Sequence, residues 1–214
     1  MDLAANPHMI ISGTTGSGKS TLLHNIIANL LNYHDAEVYL VDPKQIEFVD
    51  YKNKFKNITV RSTYDEALTI IKNAIEVMEF RYELIRTGAP ASTLKPMVIM
   101  IDEFADLIMQ DKNDEFYNNL CRLAQKCRAA RIHLVLATQR PSVKIIDGVI
   151  KANFPARIAC RVASHTDSKV VLDAVGAENL LGKGDALVRD NLRLMERFQV
   201  AYTDAKKVCS MFGG

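Results

Sequence analysis

Eight residues near the start constrain this chain more than any other feature. Gly13-Thr14-Thr15-Gly16-Ser17-Gly18-Lys19-Ser20 matches the pattern G-x-x-x-x-G-K-[ST]. A short apolar run, His8 to Ser12, leads into it. From Lys19 onward, Leu22, Leu23, Ile26, Ile27, Leu30 and Leu31 recur at helical spacing. The motif therefore sits where a strand turns into a helix. Glycines there let backbone N–H groups converge on a phosphate, and the helix N-terminus adds partial positive charge. Lys19 suits the β- and γ-phosphates, and the Ser20 hydroxyl suits Mg²⁺. Residues Gly13, Thr14, Thr15, Gly16, Ser17, Gly18, Lys19, Ser20 and Thr21 are thus candidates to hold ATP, with Mg²⁺ beside them.

The rest of the chain alternates strand and helix, which argues a mostly parallel sheet flanked by helices. Val38 to Val41 reads as a second strand, and Asp42 to Arg61 as an irregular, lysine-containing connection. Thr63-Tyr64-Asp65-Glu66 has capping-box form and opens a helix with Leu68, Ile71, Ile75, Met78, Tyr82 and Ile85 on one stripe. Met97 to Ile101 is a continuous apolar strand, as a central parallel strand should be. A helix is predicted near Phe116 to Ala130, then strands at Ile132 to Ala137 and Ala156 to Val162. Asp185 to Tyr202 reads as an antiparallel edge hairpin around Asp190-Asn191. No linker or repeat interrupts residues 1–214, so one domain is expected. Its first strand starts within eight residues of Met1, and Gly213-Gly214 ends the chain abruptly, which favours a domain cut from a longer protein.

A second chemical centre follows from the apolar strand that ends in Asp102-Glu103. Ligands in open α/β sheets bind beyond the carboxyl ends of the strands. Asp102 is placed to hold Mg²⁺ through its water shell, and Glu103 to polarise an attacking water. Adjacent carboxylates at that point favour hydrolysis over transfer to a second substrate. Ala137-Thr138-Gln139-Arg140-Pro141 ends the next strand, where Thr138 or Gln139 can sense the γ-phosphate. Cys121, Cys127, Cys160 and Cys209 show no CxxC spacing and no pairing with the five histidines. They read as reduced thiols of a cytoplasmic protein, and zinc is not suggested.

The formal charge of +2 conceals a division. Residues 62–120 carry five basic and eleven acidic side chains, whereas 121–161 carry nine basic side chains against Asp147 alone. A basic stretch of that kind suits a polyanion. Lys52, Lys54 and Lys56 form a rival basic run that reads as solvated.

Together these residues resemble the motor domain of FtsK/SpoIIIE-type DNA translocases. The likeness rests on the phosphate loop, Asp42-Pro43-Lys44, and Ile101 to Leu107. It continues through Arg122 to Lys126, Ala137 to Pro141, Ile150 to Asn153, Asp167-Ser168 and Gly176 to Asp185. Cys127 and Arg131 stand where that family commonly has small residues. The resemblance implies a RecA-like P-loop fold, a homo-hexameric ring and ATP-driven movement along double-stranded DNA. It also implies membrane-anchored or additional motor segments in a parent protein. By the family pattern Arg128 matches a finger acting in trans on a neighbour's γ-phosphate; it lies at the border of the apolar stripe that Phe116, Leu120, Leu123, Ala124 and Cys127 form on the predicted helix, and Arg131 is the alternative. Glu103, Lys19, Arg128 and Gln139 are then the catalytic candidates. Arg140, Lys144, Lys151, His165 and Lys169, on loops after successive strands, are the DNA-binding candidates. A coupling ATPase of DNA transfer or protein secretion shares the same motifs. A regulatory module that no longer hydrolyses ATP conflicts with intact Lys19, Ser20, Asp102 and Glu103. A nucleotide kinase would want a second basic pocket and a lid.

Overall fold

The structure, a computed structural model, describes residues 6–32, 36–190 and 195–213. Its strands are β1 (His8–Ser12), β2 (Glu37–Val41), β3 (Ile58–Arg61), β4 (Met97–Ile101), β5 (Ile132–Thr138), β6 (Ala156–Cys160), β7 (Asp185–Arg189) and β8 (Glu196–Gln199). They form one sheet in the order β3-β2-β4-β5-β1-β6-β7-β8. The first six in that order pair in parallel, and β7 and β8 close the edge antiparallel. In register, Ser12 of β1 lies opposite Thr138 of β5, and Val41 of β2 opposite Ile101 of β4. All the loops that leave these parallel strands therefore emerge at one edge.

Side-chain alternation explains why β1, β4, β5 and β6 are apolar and buried on both faces. Met9 and Ile11 join a core with helices α1 (Lys19–Asn32) and α7 (Ala205–Phe212). Ile10 points the other way, into a core built from α2 (Tyr64–Arg86), α3 (Phe104–Gln110), α4 (Glu115–Lys126), α5 (Gly148–Asn153) and α6 (His165–Leu172). Thr63 caps α2 through the amide of Glu66, whose carboxylate in turn accepts from the Thr63 amide at 3.0 Å, so the expected capping box is present.

Three expectations change. The stretch 42–61 is not irregular throughout: Ile58–Arg61 is the edge strand β3, paired in parallel with β2. Four residues with only Ile58 and Val60 buried give too short an alternation to stand out in sequence. Helix α4 ends at Lys126, because the chain turns over residues 127–131 and Arg131 takes a left-handed φ of 54°. Arg128 therefore lies in a turn, and a helical-wheel position does not describe it. Strand β6 stops at Cys160. The edge hairpin pairs Asp185 with Gln199, and its turn, including Asn191, lies outside the described residues.

Candidate functional site

The phosphate loop leaves the C-terminal end of β1 between the ends of β5 and β6. Its entry is tied to both neighbours. Gly13 N–H donates to Thr138 O at 3.2 Å, and Thr14 N–H to Arg161 O at 2.9 Å. Ser17 N–H closes the turn on Thr14 O. The amides of Thr15, Gly16 and Gly18 take no protein acceptor among the described residues. They are free for a phosphate, and φ values of 75° at Gly16 and 104° at Gly18 explain the glycines.

A second segment buttresses the loop from outside. Lys183 N–H donates to Gly16 O at 3.2 Å, and Gly184 N–H to Ser17 O at 2.8 Å. The approach is so close that a Cβ on Gly18 would stand 2.3 Å from the Gly184 nitrogen. In the sequence Leu180 to Asp185 figured only as part of the family likeness, with no contact to the loop expected. The visible signal was the closely spaced pair Gly182 and Gly184, both at positive φ.

At the end of β4, Asp102 and Glu103 point to different partners. Asp102 is 2 % exposed and forms an ion pair with Lys19, itself 3 % exposed. Burial pushes the Asp102 carboxyl up, and Lys19 partly counters that. Each of these two charges is what allows the other to be buried.

The residues around this pair fit Mg²⁺. That ion prefers oxygen donors and is usually held by one or two carboxylates together with substrate phosphates. Asp102 and Ser20 supply oxygen donors, and among the described residues the buried Oδ1 of Asp42 has no hydrogen-bond partner. Glu47, which the sequence reading did not single out, approaches from the loop after β2; hydrogen bonding to His24 and to Ser20 lowers its carboxyl. Among the described residues no group of three or more His, Cys, Asp or Glu side chains forms a cage without a substrate.

Glu103 is completely buried and takes a left-handed φ of 58°. Its Oε1 accepts from the Thr138 hydroxyl at 2.6 Å, and its Oε2 from Gln139 N–H at 3.0 Å and Lys44 Nζ at 3.2 Å. The Gln139 side chain accepts from the Thr15 hydroxyl at 3.1 Å. One residue thus touches both the phosphate loop and the carboxylate that faces it. The structure brings together Lys19, Ser20, Asp102, Glu103 and Gln139, with Asp42, Lys44 and Glu47 beside them.

These motifs have known relatives. The model of the FtsK/SpoIIIE family matches residues 1–92 and 87–143. The chain belongs to the FtsK/SpoIIIE family. It is 42 % identical over 211 residues to DNA translocase SftA of Bacillus subtilis (strain 168), covering 89 % of this chain and 22 % of that protein. It is 39 % identical over 211 residues to DNA translocase SpoIIIE of the same organism, covering 87 % and 27 %. The chain thus spans about a quarter of the length of these relatives. Among solved structures it resembles the pCW3 conjugation coupling protein TcpA, in monomer form with ATPγS. The TM-score is 0.86 at 29 % identity, over 99 % of this chain and 66 % of that one. The cytoplasmic domain of the Type VII secretion ATPase EccC of Thermomonospora curvata shares the fold. Its TM-score is 0.79 at 24 % identity, over 97 % of this chain and 28 % of that one.

The remaining candidates of this FtsK/SpoIIIE chain fall in different places. Arg128 is exposed in the turn that enters β5, at the opposite edge of the sheet from the phosphate loop. The seven residues of β5 separate the two by about 23 Å. No arginine side chain spans that, so Arg128 does not reach this chain's own loop. Arg131 is engaged elsewhere, donating to Ser92 O and Leu94 O at 2.7 and 2.8 Å. Arg140 and Lys144 are exposed just beyond β5, on the phosphate-loop edge. His165 opens α6 on that same edge, with Lys169 one turn further along, and both are exposed. Lys151 lies apart from them. It pairs with Asp173 at 2.7 Å, next to Arg157 at the start of β6. Among the described residues no helix is long and apolar enough to cross a membrane.

Proposed function

We propose that this chain is an ATP-hydrolysing motor domain that moves double-stranded DNA through a ring of six copies. The observation that carries the reading is the line of contacts Thr15–Gln139–Glu103, which joins the phosphate loop to a buried carboxylate. The next residue, Arg140, donates its amide to Thr138 Oγ1 at 3.0 Å and begins the exposed basic loop. A change at the nucleotide is thereby felt one residue away from a candidate DNA contact.

ATP would lie with its phosphates on the free amides of the loop. Lys19 then exchanges Asp102 for phosphate oxygens, leaving Asp102 and Ser20 to hold Mg²⁺. Bound there, Mg²⁺ would neutralise charge on the β- and γ-phosphates. Glu103 takes a proton from the attacking water, and Gln139 reports whether the γ-phosphate is present. Arg128, out of reach of its own site, serves a neighbour's, which makes turnover depend on assembly. Arg140, Lys144, His165 and Lys169 would grip the DNA backbone irrespective of sequence.

ATPase rate with and without duplex DNA tests this reading. Turnover should rise with DNA and with protein concentration and should vanish in Lys19→Ala. Duplex affinity should fall steeply with salt, since each neutralised phosphate adds to the slope. The likeness to TcpA favours one second reading, a coupling ATPase of DNA transfer. Translocation on naked duplex by the chain alone would argue for the first reading. A protein exporter would show no salt-sensitive duplex binding at all.

A further inference from the structure

Lys44 is an unassigned residue with a defined contact. Its ammonium is 3.2 Å from Glu103 Oε2 and 3.8 Å from Asp106 Oδ2, although it lies 59 residues before Glu103 in sequence. Lys19 is committed to Asp102, so among the described residues Lys44 is the cation paired with Glu103.

The loop that carries Lys44 is built to present it. Asp42-Pro43-Lys44-Gln45 is a β-turn closed by Gln45 N–H on Asp42 O at 3.1 Å. Proline at the second position fixes the φ such a turn needs. Asp42, 1 % exposed, accepts from the Phe48 amide at 2.9 Å, and Phe48 is fully buried. The base of the loop is therefore anchored while the lysine stem crosses from the end of β2 to the end of β4. The Lys44 side chain stays 34 % exposed while Glu103 is fully buried, so the ammonium reaches the carboxylate from the solvent side of the site.

Glu103 needs such a partner for its aim. A carboxylate offers about four lone-pair directions. Thr138 Oγ1 and Gln139 N–H occupy the side facing β5, and Lys44 and Asp106 bound the side facing β2 and α3. Without Lys44 the carboxylate keeps the Thr138 hydroxyl and the Gln139 amide, which reaches both oxygens at 3.2 and 3.0 Å, but loses its charged donor and every donor on the β2 side.

We propose that Lys44 is a positioning residue for Glu103: pulling from the β2 side against Thr138 on the β5 side, it holds the carboxylate in the orientation that hydrolysis uses. This rests on the reading of Glu103 as the base. It predicts that Lys44 acts on turnover and leaves nucleotide affinity alone.

The test uses Lys44→Gln, Lys44→Ala and Lys44→Arg in the full chain. It measures kcat and KM for ATP, the Kd of a fluorescent ATP analogue and the unfolding midpoint. Lys44→Gln and Lys44→Ala should lower kcat at least tenfold at a Kd within error of the parent, under conditions where the unfolding midpoint shows each variant folded. Lys44→Arg, which keeps the charge, should recover most of the rate. Thr138→Ser should retain the rate and Thr138→Val should lose it, because only the former keeps the opposing donor. A kcat within twofold of the parent in Lys44→Gln overturns the proposal. So does a defect confined to nucleotide affinity, or one that Lys44→Arg leaves unrepaired. A parent chain that binds ATP without hydrolysing it fails the underlying reading instead, and does so before any Lys44 variant is made.

Discussion

Glu103 carries the sharpest prediction, because its chemistry and its burial can be separated. Glu103→Gln keeps the shape and most hydrogen bonds but cannot accept a proton. Turnover should fall by about 10²–10⁴ while ATP binding persists, as read by single-turnover assay beside a binding titration. Gly18 offers the opposite case, a residue whose role is the absence of a side chain. Gly18→Ala would place a methyl 2.3 Å from the Gly184 backbone at a φ of 104°, so both strain and collision oppose it. A loss of roughly 2–3 kcal/mol in urea unfolding is expected, along with nucleotide binding. The glycine was legible as part of a motif. Its collision partner lies 166 positions downstream, and no local pattern announces that. Lys44 was likewise visible only as part of a family-like tripeptide, since its partner is brought to it by the pairing of β2 with β4.

Among the elements, those with their own local signals were legible. The Thr63–Glu66 box is a four-residue hydrogen-bonding unit, and it forms as expected at the start of α2. Thr63→Ala should cost about 1 kcal/mol without touching the site, measurable as a shifted unfolding midpoint at unchanged ATPase. β1, β4 and β5 declared themselves as apolar runs because helices cover both of their faces. β3 did not, since an edge strand of four residues needs only two buried side chains. The end of α4 was also misjudged. Apolar spacing continues through Cys127, yet Ile132 N–H bonds back to Cys127 O and the chain turns there to enter β5. That turn sets the two arginines apart: Arg131 donates to two carbonyls, and the Arg128 side chain lies exposed.

In the whole molecule, the placement of Arg128 about 23 Å from its own phosphate loop makes assembly testable by mixing. Lys19→Ala and Arg128→Ala should each be inactive alone and should recover part of the activity when combined. Mixed rings restore sites with an intact Lys19 facing an intact Arg128, so no recovery at any ratio counts against action in trans. The N-terminal edge of the sheet also sets an acid limit on stability. His8 is buried beside Phe154 and Cys127, and its Nδ1 accepts from Leu134 N–H at 3.2 Å. Burial, then the charges of His133 and Arg128, lower its pKa from 6.5 to about 3. Between those values the unfolded chain binds a proton that the folded chain refuses. Stability should therefore decline as pH falls below 6.5, by up to about 1.4 kcal/mol per unit from this group. His8→Gln, which keeps an acceptor, should flatten that part of the unfolding profile. The charge division met in the sequence also resolves at this scale. Arg140 and Lys144 lie on the phosphate-loop edge, Arg128 lies on the opposite edge, and Lys151 is paired with Asp173, which also takes Arg157 and Arg189, so the basic stretch is not one patch. By itself the sequence determined the phosphate loop, the acidic pair after β4 and the alternation of strands and helices, because each rests on contacts within a few residues. Only the tertiary structure decided which charges remain available. The partners of Lys19, Lys44, Arg131 and Lys151 lie 22 to 83 positions away and meet them only once the sheet has aligned its strands.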